Sequence, residues 1–131
     1  MDKVVFTNGC FDILHRGHYE LLKYCKTLGN VIVGLNSDES VKRLKGQQRP
    51  INTQEDRKFA LECCKYVDQV IIFEEDTPYE TIKLLKPDVL VKGGDYIMSD
   101  IVGTQHAKET IIFDYVKGYS TTETIKNIGD R

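Results

Sequence analysis

The stretch Lys3-Val4-Val5-Phe6-Thr7-Asn8-Gly9-Cys10-Phe11-Asp12-Ile13-Leu14-His15-Arg16-Gly17-His18 decides the fold. Residues 3–6 carry a short apolar run that reads as a buried strand, ending at the turn signal Asn8-Gly9. Beyond the polar segment, Tyr19, Leu22 and Cys25 recur at helical spacing, as do Leu21 and Leu28. The spacing predicts a helix over residues 17–28, stopped by Gly29-Asn30. Strand, loop and helix in that order make the first half of a βαβ unit.

Downstream the pattern repeats. Apolar runs at 31–35, 70–73, 88–91 and 110–113 read as further strands. Between them, Ser37 caps a short helix reaching Leu44. Thr53 caps another, in which Phe59, Cys63 and Tyr66 continue the apolar spacing, with Asp56 where a capping box has Glu or Gln. Thr77-Pro78 opens a helix with proline at its first position, running to about Lys86 before Pro87 ends it. The pattern allows a helix around 99–108 and predicts a last one over 121–128. Strands without strict alternation, separated by helices, predict a doubly wound α/β domain over residues 1–131 with a five-stranded, mainly parallel sheet. Ligands in such sheets bind beyond the carboxyl ends of the strands. That directs attention to residues 7–18, 36–50, 92–96 and 115–122.

Composition narrows the function. The chain has 131 residues, Lys+Arg 18 against Asp+Glu 20, and a formal net charge of -2. No net basic field favours a nucleic-acid partner. No apolar run nears the roughly 20 residues that cross a bilayer, and residues 1–6 lack the layout of a signal peptide. A cytoplasmic protein is the expectation, with Cys10, Cys25, Cys63 and Cys64 as reduced thiols.

The chemistry concentrates after the first strand. His15 and His18 stand three apart at a helix start and so project from one face. Gly17 removes a side chain where a phosphate would approach, and a helix N-terminus favours anions. Two surface histidines, or a zinc site completed by Cys10, are alternative readings, but no fourth zinc ligand has familiar spacing. Asp12 either orients a histidine or a metal-bound water, or caps the helix. Lys42-Arg43-Leu44-Lys45-Gly46 with Arg49 is either a solvated basic helix end or a flap hinged at Gly46 that folds over phosphates. Lys92-Gly93-Gly94-Asp95 is a turn that glycine makes permissive. The hydroxyls of Ser120, Thr121 and Thr122 suit the start of the last helix.

The string Thr7-Asn8-Gly9-Cys10-Phe11-Asp12-Ile13-Leu14-His15-Arg16-Gly17-His18 resembles the signature of the nucleotidyltransferase superfamily that includes cytidylyltransferases. With Asn36–Gly46, Arg49-Pro50-Ile51-Asn52, Phe73–Pro78, Val91–Tyr96 and Ser120-Thr121-Thr122, it most resembles the adenylyltransferase domain of bifunctional D-glycero-β-D-manno-heptose 1-phosphate kinase/adenylyltransferases. That resemblance implies a Rossmann-like nucleotidyltransferase fold and a reaction in which ATP and a heptose 1-phosphate give ADP-heptose and pyrophosphate, for a bacterial surface glycan. It implies His15, His18 and Lys45 as catalytic groups on the phosphates. For the nucleotide it implies Thr7, Asn8, Gly9, Cys10, Phe11, Asp12, Gly17, Arg57, Lys92, Gly93, Gly94, Asp95, Ser120, Thr121 and Thr122. For the sugar phosphate it implies Asn36, Asp38 and Arg49. The residues leave Arg57 open between a phosphate contact and a surface partner of Glu55 or Asp56.

The resemblance further implies Mg²⁺ accompanying the triphosphate without a dedicated protein ligand, a homodimer, and a kinase on another chain supplying the sugar phosphate. Glycerol-phosphate cytidylyltransferases carry Arg-Thr-Glu-Gly-Ile-Ser-Thr-Thr where this chain has Tyr115-Val116-Lys117-Gly118-Tyr119-Ser120-Thr121-Thr122. Tyr115 in the arginine's place counts against the competing expectation, a CTP-dependent enzyme acting on a polyol phosphate. A non-catalytic nucleotide-binding module and a protein-binding α/β domain are the readings from other classes.

Overall fold

The computed structural model describes residues 2–94 and 98–114. In chain order the elements are β1 (Val4–Gly9), α1 (Arg16–Leu28), β2 (Asn30–Asn36), α2 (Asp38–Lys45), α3 (Gln54–Glu62), β3 (Gln69–Phe73), α4 (Tyr79–Leu85), β4 (Val89–Gly93) and β5 (Glu109–Phe113). The five strands form one sheet in the order β3-β2-β1-β4-β5. Every neighbouring pair is parallel, as the continuous apolar runs require of strands covered on both faces.

Adjacent strand residues point to opposite faces, and the core divides accordingly. Val5, Val31, Val33, Leu35, Val70, Val89 and Val91 pack with Leu21, Leu22 and Cys25 of α1 and Leu61 of α3. Phe6 and Leu90 face the other way, against Ile82 of α4 and Ile101. Burying each such side chain contributes about 1.5–3 kcal/mol, so both helical layers are anchored by burial rather than propensity. Gly34 is dictated by this packing, because a Cβ there would stand 2.5 Å from the ring of fully buried Phe6.

Ser37 and Thr53 cap α2 and α3 as expected, accepting from the Ser40 and Asp56 amides. Other expectations need correction. Residues 99–108 form two single 3₁₀ turns, Met98–Asp100 and Thr104–His106, rather than a helix. Gly103 separates them at φ 86, in a left-handed conformation, and packs so closely on Ile82 that a Cβ would lie 2.8 Å from its Cδ1. Helix α3 stops at Glu62, so Cys63 is its cap and Tyr66 lies beyond it. Phe59 is 69% exposed; the face that α3 buries carries Arg57 and Leu61. Pro78 precedes α4 as its cap residue, one position earlier than expected. Of the residues at helical spacing in α1, Leu21, Leu22 and Cys25 are buried, whereas Tyr19 is exposed. The expected helix over 121–128 lies outside the described residues. Among the described residues no helix is long and apolar enough to cross a membrane, and the four cysteines are free thiols.

Candidate active site

From β1 the chain moves outward to β2 on one side, and β4 with β5 fills the other. The boundary between β1 and β4 is therefore the switch point, where a parallel sheet opens a crevice at its carboxyl edge. A cleft of about 670 Å³ lies there, lined by Asn8, Gly9 and Cys10 at the end of β1, Asn36 at the end of β2, and Lys92, Gly93 and Gly94 at the end of β4. His15, His18, Lys45 and Arg49 line it too, so both histidines and three cationic side chains share one cavity.

The two histidines are fixed by the helix start they occupy. His15 is the N-cap of α1, and its Nδ1 accepts from the Gly17 amide at 3.0 Å. His18 closes the reciprocal half of the box, its Nδ1 accepting from the His15 amide at 3.2 Å. A ring nitrogen that accepts cannot carry the proton, so the neutral form of each ring is the Nε2–H tautomer. The rings stack with centroids 3.9 Å apart, and Phe11 leans on His18 at 5.2 Å. Burial, with the neighbouring His15 adding to it, pushes the His18 pKa down from 6.5 to about 3. His18 is thus a neutral hydrogen-bond donor through Nε2, not an imidazolium.

Positive charge comes instead from the lysines and Arg49. Lys45 is the last residue of α2 and is exposed at the cleft. Burial lowers the pKa of Lys92, and burial raises that of the Cys10 thiol against the pull of Lys45, Arg57 and Arg49. Cys10 is therefore a neutral wall residue rather than a nucleophile.

Several expected site residues are engaged elsewhere. Asp12 neither caps α1, since His15 does, nor hydrogen-bonds a histidine. Its buried carboxylate accepts from the Ile51 amide (2.8 Å), the Asn52 amide (2.9 Å) and Arg49 Nε (3.1 Å). Arg57 is neither a surface residue nor a lining one. It is 1% exposed and donates to the carbonyls of Cys10, Asn36 and Asn52 and to the Asp38 carboxylate. Asp38 accordingly braces Arg57, and Thr7 lies wholly buried in β1 with its hydroxyl unpaired. Gly17 sits buried in the first turn of α1.

The cleft also uses Asp76, Thr77 and Pro78 before α4 and Asp100, Ile101 and Val102 after β4, which residue-type reasoning did not single out as site residues. The stretch 73–78 marked the first three, and nothing in the sequence marked Asp100, Ile101 or Val102. Asp95, Ser120, Thr121 and Thr122 lie outside the described residues. Among the described residues no group of three or more His, Cys, Asp or Glu side chains is placed to hold a metal ion.

Comparison with known proteins agrees with the fold. Residues 6–127 match the family described as cytidylyltransferase-like. The protein called bifunctional protein HldE from a Nitratiruptor species is 58% identical over 127 residues, 96% of this chain, and one of the same name from Helicobacter pylori is 54% identical over a span of equal length. The chain spans 28% of the length of each of these relatives. A crystal structure of the lipopolysaccharide core biosynthesis protein from Thermoplasma volcanium superimposes with a TM-score of 0.74 at 28% identity, over 92% of this chain and 100% of that one.

Proposed function

The chain belongs to the cytidylyltransferase-like family, and from that membership we propose that it is a sugar-phosphate adenylyltransferase, joining AMP from ATP to D-glycero-β-D-manno-heptose 1-phosphate. The observation that carries this reading is the capped histidine pair, with neutral His18 presenting a donor edge inside a cleft that Lys45, Arg49 and Lys92 make cationic. In the reaction a phosphate oxygen of the sugar attacks the α-phosphorus of ATP. The bond to the β-phosphate bridging oxygen breaks, and pyrophosphate leaves with that electron pair. The nucleophile is already anionic, so no protein base is needed.

What the reaction needs is alignment, and donors aimed at the oxygens where charge grows. His18 meets that need through Nε2–H, whose position its own Nδ1 bond fixes. His15 is assigned the neighbouring phosphate oxygens and Lys45 the triphosphate. Asn8, Gly9 and Lys92–Gly94 are assigned the nucleotide, and Asn36 the sugar phosphate. Mg²⁺ enters with ATP as part of the substrate. Likeness to HldE proteins and to a lipopolysaccharide core biosynthesis protein supports a role in surface-glycan supply, with a kinase reaction providing the sugar phosphate.

The test is pyrophosphate release from purified protein offered ATP or CTP with heptose 1-phosphate or glycerol 3-phosphate. Release with ATP and the heptose, with ADP-heptose formed in equal amount, is expected. Turnover confined to CTP and glycerol 3-phosphate would replace the reading with a cytidylyltransferase. Nucleotide binding without turnover on any pair would make the cleft a sensor.

A further inference from the structure

Among the described residues, Arg49 is held by one edge only. Its Nε donates to Asp12 Oδ2 at 3.1 Å, while the side chain is 15% exposed and lines the cleft. No described residue accepts from its two terminal nitrogens. Four of the five guanidinium N–H groups are carried there, in the planar fork that matches two oxygens of a phosphate. Lys45 and Lys92 line the same cavity, so an anion there meets converging cations.

Asp12 is built to hold that fork still. Its carboxylate is 0% exposed and also takes the amides of Ile51 and Asn52, while Asn52 Nδ2 donates back to the Asp12 carbonyl at 2.9 Å. Residue 12 is thereby sewn to residues 49–52, across 37 positions of sequence. The preceding residue, Phe11, sits at φ 45, a strained backbone for an aromatic, and its ring rests on His18. One turn therefore orients the imidazole on one side and the guanidinium on the other.

We propose that Asp12 is a positioning residue acting through Arg49, holding its Nε so that the two terminal nitrogens take a phosphate in the cleft. This rests on the transferase reading for the identity of the phosphate, which is either the triphosphate of the nucleotide or the phosphate of the acceptor. Calorimetric titration of Mg·ATP and, separately, heptose 1-phosphate into the native protein, Arg49→Ala, Arg49→Lys, Asp12→Asn and the Asp12→Asn/Arg49→Ala double variant tests it.

Arg49→Ala should weaken one of the two ligands by about ten- to a hundredfold, the range of a lost charge-assisted pair, and leave the other within about threefold. The affected ligand names the phosphate. Arg49→Lys should fail to restore it, because an ammonium has no fork for Asp12 to orient. Asp12→Asn should weaken the same ligand, and the double variant should bind no worse than the weaker single one. Unchanged affinity for both ligands in Arg49→Ala, full rescue by lysine, or additive losses in the double variant would each overturn the proposal. So would equal weakening of both ligands with a lowered Tm, the mark of a purely structural Asp12. Should Asp12→Asn not fold, the Arg49 pair decides alone. Selective loss of binding in a protein that releases no pyrophosphate would sink the transferase reading and leave this one standing.

Discussion

Arg57 and Arg49 are both tied to the turn between β1 and α1, and they are used in opposite ways. Arg57 reaches the turn through the Cys10 carbonyl and has every nitrogen engaged by protein: Nε by Asn52, Nη1 by Cys10 and Asn36, Nη2 by Asp38. Arg49 reaches it through Asp12 and, among the described residues, engages a single nitrogen. A guanidinium with no nitrogen left over is a strut, and its worth is stability. A guanidinium with its fork open at a cleft is a ligand group, and its worth is affinity. The carbonyls that Arg57 gathers belong to the loop after β1, the end of β2 and the loop before α3, so the strut ties these segments together.

Three substitutions bear on this contrast, in falling order of effect. Arg57→Ala leaves Asp38 and the carbonyls of Cys10, Asn36 and Asn52 without the donor they share. The expected loss is about 3–5 kcal/mol of unfolding free energy, the range for breaking a buried charged pair. Chemical denaturation measures it, and a loss below about 1 kcal/mol would erase the distinction between the two arginines. On the proposed reaction, His18→Ala removes a donor from the reacting phosphate and should lower kcat by about 10²–10³-fold. Single-turnover kinetics on folded variant reads this, and near-native turnover would remove His18 from the transition state. Lys45→Ala takes away an exposed cation at the end of α2 and should lower turnover by about tenfold with Tm within about a degree of native. A Tm loss comparable to that of Arg57→Ala would place Lys45 with the struts instead.

The α/β fold was legible because its signals are local and redundant. Each strand is a continuous apolar run, Ser37 and Thr53 mark helix starts, and parallel order follows from the alternation of strands and helices. The histidine pair was legible for the same reason, since spacing of three at a helix start dictates a shared face. Asp12 and Arg57 were not. Nothing within a few residues of Asp12 announces that its partners are Arg49, Ile51 and Asn52, and a buried arginine reads in sequence like any surface one. Phe59 misled because apolar spacing says which face a helix could bury, whereas α3 is turned to sink Arg57 and Leu61. Gly103 cut short the helix expected over 99–108 through a close contact with Ile82, 21 positions earlier, which no local pattern encodes.

The protonation state of His18 carries a stability consequence of definite sign. Its folded pKa of about 3 lies below its ordinary 6.5. The unfolded chain therefore takes up a proton that the native state refuses as pH falls through that window. Stability should drop with pH below about 6.5, by at most about 1.4 kcal/mol per pH unit from this group, and a His18→Gln variant should lose that component.

Nitrogen NMR of the His18 ring, followed from about pH 7 down to about pH 4, is the direct test. The account predicts an unprotonated Nδ1 and a protonated Nε2 throughout, with the Nε2 signal moving when Mg·ATP is added. A ring that titrates near its ordinary pKa, or that carries its proton on Nδ1, would contradict it.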